Sequence, residues 1–194
     1  MQKRNLNQQR IIETAAQIVN ETGAAALTFS NVANALGVRP QALYAYFGNR
    51  EQLKFALIVS FLDSLTKNLN TALVGISGEQ GLIIYGSELH RSLLAEPNLT
   101  KLAFGGINYQ QESEAGQHLH QLVLVLDRLL APYYDNDREV IAQARYLRAL
   151  IFGYVQNELW GLFSHPDLSA NTTFNEALTQ AVTNITKEGV VKHG

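Results

Sequence analysis

Seven side chains near the N-terminus have the types and spacing to read a nucleic-acid duplex: Thr28, Arg39, Gln41, Ala42, Tyr44, Tyr46 and Arg50. A glutamine such as Gln41 can pair bidentately with adenine, and an arginine such as Arg39 with guanine or a phosphate. Ala42 is small and apolar enough to touch a thymine methyl. The hydroxyls of Tyr44 and Tyr46 suit the sugar-phosphate backbone, and Arg50 offers a cation to a phosphate. Thr28 can cap a helix through its hydroxyl and donate the same group to a phosphate.

The elements that must carry these groups follow from the apolar spacing. Phe29, Val32, Ala33 and Leu36 recur at i, i+3, i+4 and i+7, which predicts a helix over 29–36. Gly37-Val38 breaks it. Pro40, Leu43, Tyr44 and Phe47 repeat the pattern and predict a second helix over 40–47, with Pro40 in its first turn. Two short helices joined by a tight turn make a helix-turn-helix, whose second helix enters the major groove. Leu43 and Phe47 then face inward, leaving Arg39, Gln41, Ala42 and Tyr46 toward the groove. A preceding helix over 7–22, with Ile12, Ala15, Ala16 and Val19 inward and Gly23 left-handed at its end, completes a head spanning 1–48. That head alone buries only a small core.

The run Leu27-Thr28-Phe29, Val32-Ala33, Leu36-Gly37-Val38 and Leu43-Tyr44-Ala45-Tyr46-Phe47-Gly48-Asn49-Arg50-Glu51-Gln52-Leu53 resembles the N-terminal domain of TetR-family transcriptional regulators. The resemblance covers about residues 8–55. It implies an all-α homodimer that represses transcription from double-stranded DNA and leaves it when a small molecule binds the C-terminal body. Where the family commonly carries a small hydroxyl residue to cap the recognition helix, this chain has Arg39, which cannot cap. Residues 145–163 look like one C-terminal subgroup of the same family, with Phe174 opening the final helix, and imply dimerisation through the last two helices.

The remainder, 49–194, is expected to be a helical ligand-binding and dimerisation body. Asn49 and Gln52 form a capping box, followed by Leu53, Leu57, Phe61, Leu65, Leu69 and Leu73 at intervals of four. Further helices are expected over 82–95, from Pro97 to about Phe104, over 119–130, over 136–163 and over 174–187, with a loop over 105–116. The whole is all-α, with about nine helices. The long helix over 136–163 is apolar on two sides, Ala144, Leu147, Ile151 and Val155 on one and Ala149, Phe152, Gly153 and Trp160 on another, so one face suits a second copy of the chain. Phe104, Tyr109, Asn157, Trp160 and Phe163 are the expected walls of an effector pocket. The low charge of these segments suggests a neutral, fairly apolar effector.

Composition bounds the alternatives. Apolar residues make up 46% of the chain, ample for a core, and charged ones only 16%, so some apolar surface suits a partner subunit. Residues 1–50 carry five cations, Lys3, Arg4, Arg10, Arg39 and Arg50, against Glu13 and Glu21. That leaves the head at +3 and the rest at −5 within a net charge of −2, the asymmetry expected of a head that meets phosphates. With no cysteine, disulfides and thiolate sites are excluded. His118 and His120 point to different sides of a helix, and His90, His165 and His193 have no second ligand at helical spacing, so no metal is expected. No nucleophile elbow, Walker loop or dinucleotide fingerprint occurs, so neither enzyme chemistry nor a cofactor is expected. No apolar run approaches a membrane span and no secretory leader is visible, which places the chain in the cytoplasm. The rival readings are an activator with the same head, or a helical protein-interaction module that does not bind DNA.

Overall fold

The computed structural model describes residues 6–106, 109–110 and 113–192. Eight α-helices are present: α1 (Gln8–Thr22), α2 (Phe29–Leu36), α3 (Arg50–Ala72), α4 (Gly78–Ala95), α5 (Pro97–Phe104), α6 (Glu114–Leu130), α7 (Asp137–Leu159) and α8 (Ala170–Lys192). Three 3-10 segments accompany them, Ala24–Ala26, Pro40–Ala45 and Ala131–Tyr133. Among the described residues there is no strand, and the eight α-helices together with Pro40–Ala45, where the second helix of the turn was expected, match the all-α reading of about nine helices. The loop expected over 105–116 includes positions 107–108 and 111–112, and the basic pair Lys3-Arg4 and His193 fall at the termini; all of these lie outside the described residues.

The helix starts follow their caps. Asn7, Thr28 and Asn136 accept hydrogen bonds through their side chains from the N–H of Arg10, Asn31 and Glu139, at 2.8, 3.1 and 3.0 Å. Asn49 Oδ1 accepts from Gln52 N–H at 2.9 Å, while Gln52 Oε1 accepts from Gly48 N–H at 2.7 Å, one residue before the cap. Several boundaries differ from the expected ones: α4 begins at Gly78 rather than 82, α6 begins at Glu114 rather than 119 and so takes the end of the loop expected over 105–116, and α8 runs on to Lys192 rather than 187. α7 stops at Leu159 because Gly161 takes a left-handed φ of 73°. α8 begins four residues before Phe174 because Ser169 Oγ accepts from Thr172 N–H at 3.1 Å. Apolar spacing locates the buried face of a helix, whereas polar caps upstream of the first buried residue set its start.

Contacts divide the chain into two compact units, Met1–Asp63 with Glu96–His118, and Ser64–Ala95 with Leu119–Gly194. In the first, α1 packs on α2 and α5, and α2 packs on the Pro40–Ala45 segment. Ile11, Ala15 and Val19 are the fully buried face of α1, so that face is turned by about one position from the expected Ile12 stripe. Asn20 Nδ2 donates to Glu96 Oε2 at 3.0 Å, and Asn98 Nδ2 donates to the Asn20 carbonyl at 2.9 Å. Residues 97–104, more than seventy positions downstream by these bonds' sequence separations of 76 and 78, thereby buttress α1. In the second unit α4, α7 and α8 pack against one another around Leu82, Tyr85, Leu89, Leu147, Ile151, Phe174, Leu178 and Val182. Gly86 is where α4 and α8 come closest: a Cβ there would stand 2.5 Å from Leu178 Cδ1.

Candidate nucleic-acid interface

The turn between α2 and the next segment is built by Gly37, which takes φ 68°, ψ 31°, the left-handed conformation glycine adopts without steric cost. Gly37 N–H donates to the Asn34 carbonyl and Val38 N–H to the Ala33 carbonyl, which closes the end of α2. Arg39 follows, extended and without a side-chain capping bond, as its chemistry dictates. Pro40 then pre-sets φ for the first helical position.

The following segment is wound more tightly than an α-helix. Ala42 N–H donates to the Arg39 carbonyl and Tyr46 N–H to the Leu43 carbonyl, both at 2.9 Å and both three residues apart. In a 3-10 helix residues i and i+3 eclipse one another. Pro40 and Leu43 therefore share the inward row, and Leu43 is fully buried, with Phe47 behind it only 3% exposed. Gln41 and Tyr44 share an outward row, and both are exposed. Ala42 and Ala45 form the third row, half-buried and exposed respectively. Ala45 is thus an outward residue that the α-helical spacing did not single out.

Each remaining side chain of the predicted set has a defined place. Thr28 caps α2. The Tyr44 ring is 59% exposed, yet its edge meets Phe29 at a centroid distance of 4.8 Å, so the ring is braced while its surface faces solvent. Tyr46 hydroxyl donates to the Leu6 carbonyl at 2.6 Å, which ties the chain ahead of α1 to the end of the tight segment. Arg39 and Gln41 are exposed. Arg50 turns its guanidinium onto the chain itself: Nε donates to the Leu27 carbonyl at 2.6 Å and Nη2 to the Ala24 carbonyl at 3.2 Å.

The head is therefore a rigid platform with one exposed row of hydrogen-bonding and aromatic side chains. The model of the family described as "Bacterial regulatory proteins, tetR family" matches residues 11–57. Residues 11–57 thus form a TetR-family N-terminal segment. The HTH-type transcriptional regulator BetI of Rhizobium meliloti (strain 1021) is 22% identical over 120 residues, covering 62% of this chain and 58% of that protein. The chain spans about six-tenths of the length of the curated relatives it matches. Two solved structures share the fold. The transcriptional regulator SCO7222, a TetR from Streptomyces coelicolor, aligns over 95% of this chain and 100% of its own, with a TM-score of 0.74 and 18% identity. BioQ with its natural double-stranded DNA operator aligns over 94% and 99%, with a TM-score of 0.66 and 22% identity. TetR-family regulators are DNA-binding proteins, generally ligand-responsive dimers.

The five residues expected to wall an effector pocket are divided between the two units. Phe104 and Tyr109 belong to the first unit, and Asn157, Trp160 and Phe163 to the second. Tyr109 hydroxyl donates to the Ala103 carbonyl at 2.7 Å, and burial pushes its pKa up to about 12. Asn157 Nδ2 donates to the Gly153 carbonyl one turn back at 2.6 Å. Trp160 is 66% exposed, and the Phe163 ring leans on Tyr154 with centroids 5.1 Å apart.

A different recess of about 360 Å³ opens in the second unit, lined by Ser87, His90 and Leu94 of α4, Glu158 of α7, and Asn171 and Phe174 of α8. Its inner wall is a buried pair. His90, 5% exposed, meets Glu158 Oε1 through Nε2 at 2.6 Å and stacks on Phe174 with centroids 3.8 Å apart and planes 10° from parallel. The two partners of the pair are 68 positions apart, so no local spacing rule could join them. Among the described residues no group of three or more His, Asp or Glu side chains is placed to hold a metal ion, and no helix is long and apolar enough to cross a membrane.

Proposed function

We propose that the chain is a cytoplasmic, ligand-responsive transcriptional repressor that binds a palindromic operator as a homodimer. The exposed row led by Gln41 and Tyr44, held by the buried Leu43 and Phe47, carries this reading. Inserted in the major groove, Gln41 reads adenine, and Ala42 and Ala45 pack on thymine methyls. Arg39 takes a guanine edge or a phosphate beside it. Tyr44 and Thr28 hold the sugar-phosphate backbone, and Tyr46 acts through the chain it ties down at Leu6. Arg50 acts at one remove, fixing the segment that leads into α2. The likeness in fold to a BioQ solved on its operator supports the same mode of docking.

Two heads in one dimer would read half-sites about 34 Å apart, one helical turn of the duplex. Dimerisation uses the last two helices, α7 and α8, and on α7 Ile141 and Tyr146 are 42% and 48% exposed despite their apolar bulk. The effector occupies the second unit and lowers operator affinity by the difference in its own affinity for the free and the DNA-bound forms.

Selection from a random duplex pool, followed by gel retardation on the enriched sequence, tests the reading. The expected result is a palindrome with half-sites one turn apart, bound by two chains. Retardation without sequence preference, or none at all, would remove the DNA-reading role and leave a helical interaction module. Reporter expression that rises when the protein is added would replace repression by activation.

A further inference from the structure

We infer that the recess beside His90 and Glu158 binds a protonated aromatic amine, and that Glu158 is the residue which recognises its ammonium group. The inference rests on reading the second unit as the effector-binding one, and it narrows the effector to a chemical class. The argument starts from the charge on the recess wall. Glu158 stands in the last turn of α7, where the negative end of the helix disfavours a carboxylate. It is largely enclosed, with 19% of its side chain exposed. One carboxylate oxygen, Oε1, meets His90 Nε2 at 2.6 Å. Among the described residues the other, Oε2, has no hydrogen-bond partner.

Arg91, the one permanent cation on the lining, is already engaged. Its Nε and Nη2 donate to the two oxygens of Glu88 at 2.9 and 2.6 Å. Counting Glu88 with the lining, two carboxylates stand against one guanidinium, which Glu88 already engages, so no arginine or lysine of the lining is paired with Glu158. A largely enclosed carboxylate with an open acceptor oxygen selects a charged N–H donor, because charge-assisted hydrogen bonds are about twice as strong as neutral ones. Leu94 and the stacked His90–Phe174 rings give the recess its apolar side, which suits an aromatic body. Asn171 and Ser87 add neutral hydrogen-bonding groups at the rim. The volume of about 360 Å³ lies within the range of small-molecule sites. His90 is a positioning residue here: with Nε2–H donating to Oε1, it fixes the carboxylate.

Three isosteric probes test this on the full chain in the absence of DNA: tryptamine, the neutral tryptophol and the anionic indole-3-acetate, each by isothermal titration calorimetry. Tryptamine is expected to bind at least tenfold more tightly than tryptophol, with indole-3-acetate weakest. Glu158→Gln keeps a partner for His90 but removes the charge, and should bring tryptamine down to the tryptophol level with the circular dichroism spectrum unchanged. Asn175→Trp, an exposed lining position of the same recess, should block all three probes, and it decides the matter should Glu158→Gln fail to fold. Equal affinity for the three probes, no binding of tryptamine, or an amine preference that survives Glu158→Gln would each overturn the inference. Tryptamine binding that leaves an operator complex intact in a gel shift would keep the site and sink the effector reading instead.

Discussion

Replacing Arg50 by alanine separates a phosphate contact from a structural anchor. Arg50 is the first residue of α3, where a cation is disfavoured by the positive end of the helix. Its guanidinium nevertheless has good partners, the carbonyls of Leu27 and Ala24 at 2.6 and 3.2 Å. Both belong to the short segment that leads from α1 into α2, and Leu27 is fully buried. A hydrogen bond to a charged donor contributes about 1.5–3 kcal/mol. The longer bond is exposed and adds little, so Arg50→Ala should cost roughly 2 kcal/mol. With a urea m-value of about 2 kcal/mol/M the midpoint should fall by about 1 M. The logarithmic salt dependence of operator binding should keep its slope, because no phosphate loses a cation. A direct phosphate contact predicts the reverse: an unchanged urea midpoint and a slope shallower by about 0.9. That second outcome would refute the anchoring argument.

Three further outcomes follow from the same reasoning. Gln41→Ala should cost about 1–3 kcal/mol on the selected operator and relax the preference at one base pair, read by competition gel shifts with single-base variants. Gly86→Ala would set a methyl 2.5 Å from Leu178 Cδ1; it should destabilise by about 1–3 kcal/mol, and adding Leu178→Ala should recover part of the loss in a double-mutant cycle of thermal melts. Glu88 is held below the ordinary carboxylate range, chiefly by its hydrogen bond to Arg91. A depressed folded-state pKa gives stability that is present above the unfolded pKa and lost as pH falls through the folded one. Acid titration of unfolding should therefore show a steeper loss below the ordinary carboxylate range in the native chain than in Arg91→Ala, by a small margin, since the arginine is exposed.

Local patterns were enough for the elements themselves. Gly37, Pro40, Leu43 and Phe47 specify the turn and its inward side within eleven residues, because backbone conformation and helical periodicity are short-range properties. The outward Gln41 was legible for the same reason, whereas Tyr44, which falls in the apolar repeat, stands on the exposed row only in the structure. The tighter winding of Pro40–Ala45, which brings Ala45 outward, was not, since α and 3-10 spacing share the i, i+3 step.

Arg50 shows the limit most clearly. Its position in the motif marks it as a cation near DNA, but only the folded chain brings the Leu27 and Ala24 carbonyls within reach of its guanidinium. The same holds for α5 behind α1, tied through Asn20, and for the pairing of His90 with Glu158. What the residues determine by themselves is what lies within a helical turn or two: caps, breaks, faces and the chemistry of exposed side chains. Which distant groups meet, and so where a buried charge finds its partner, depends on how the helices pack, and packing is decided by the shape and burial of the chain as a whole.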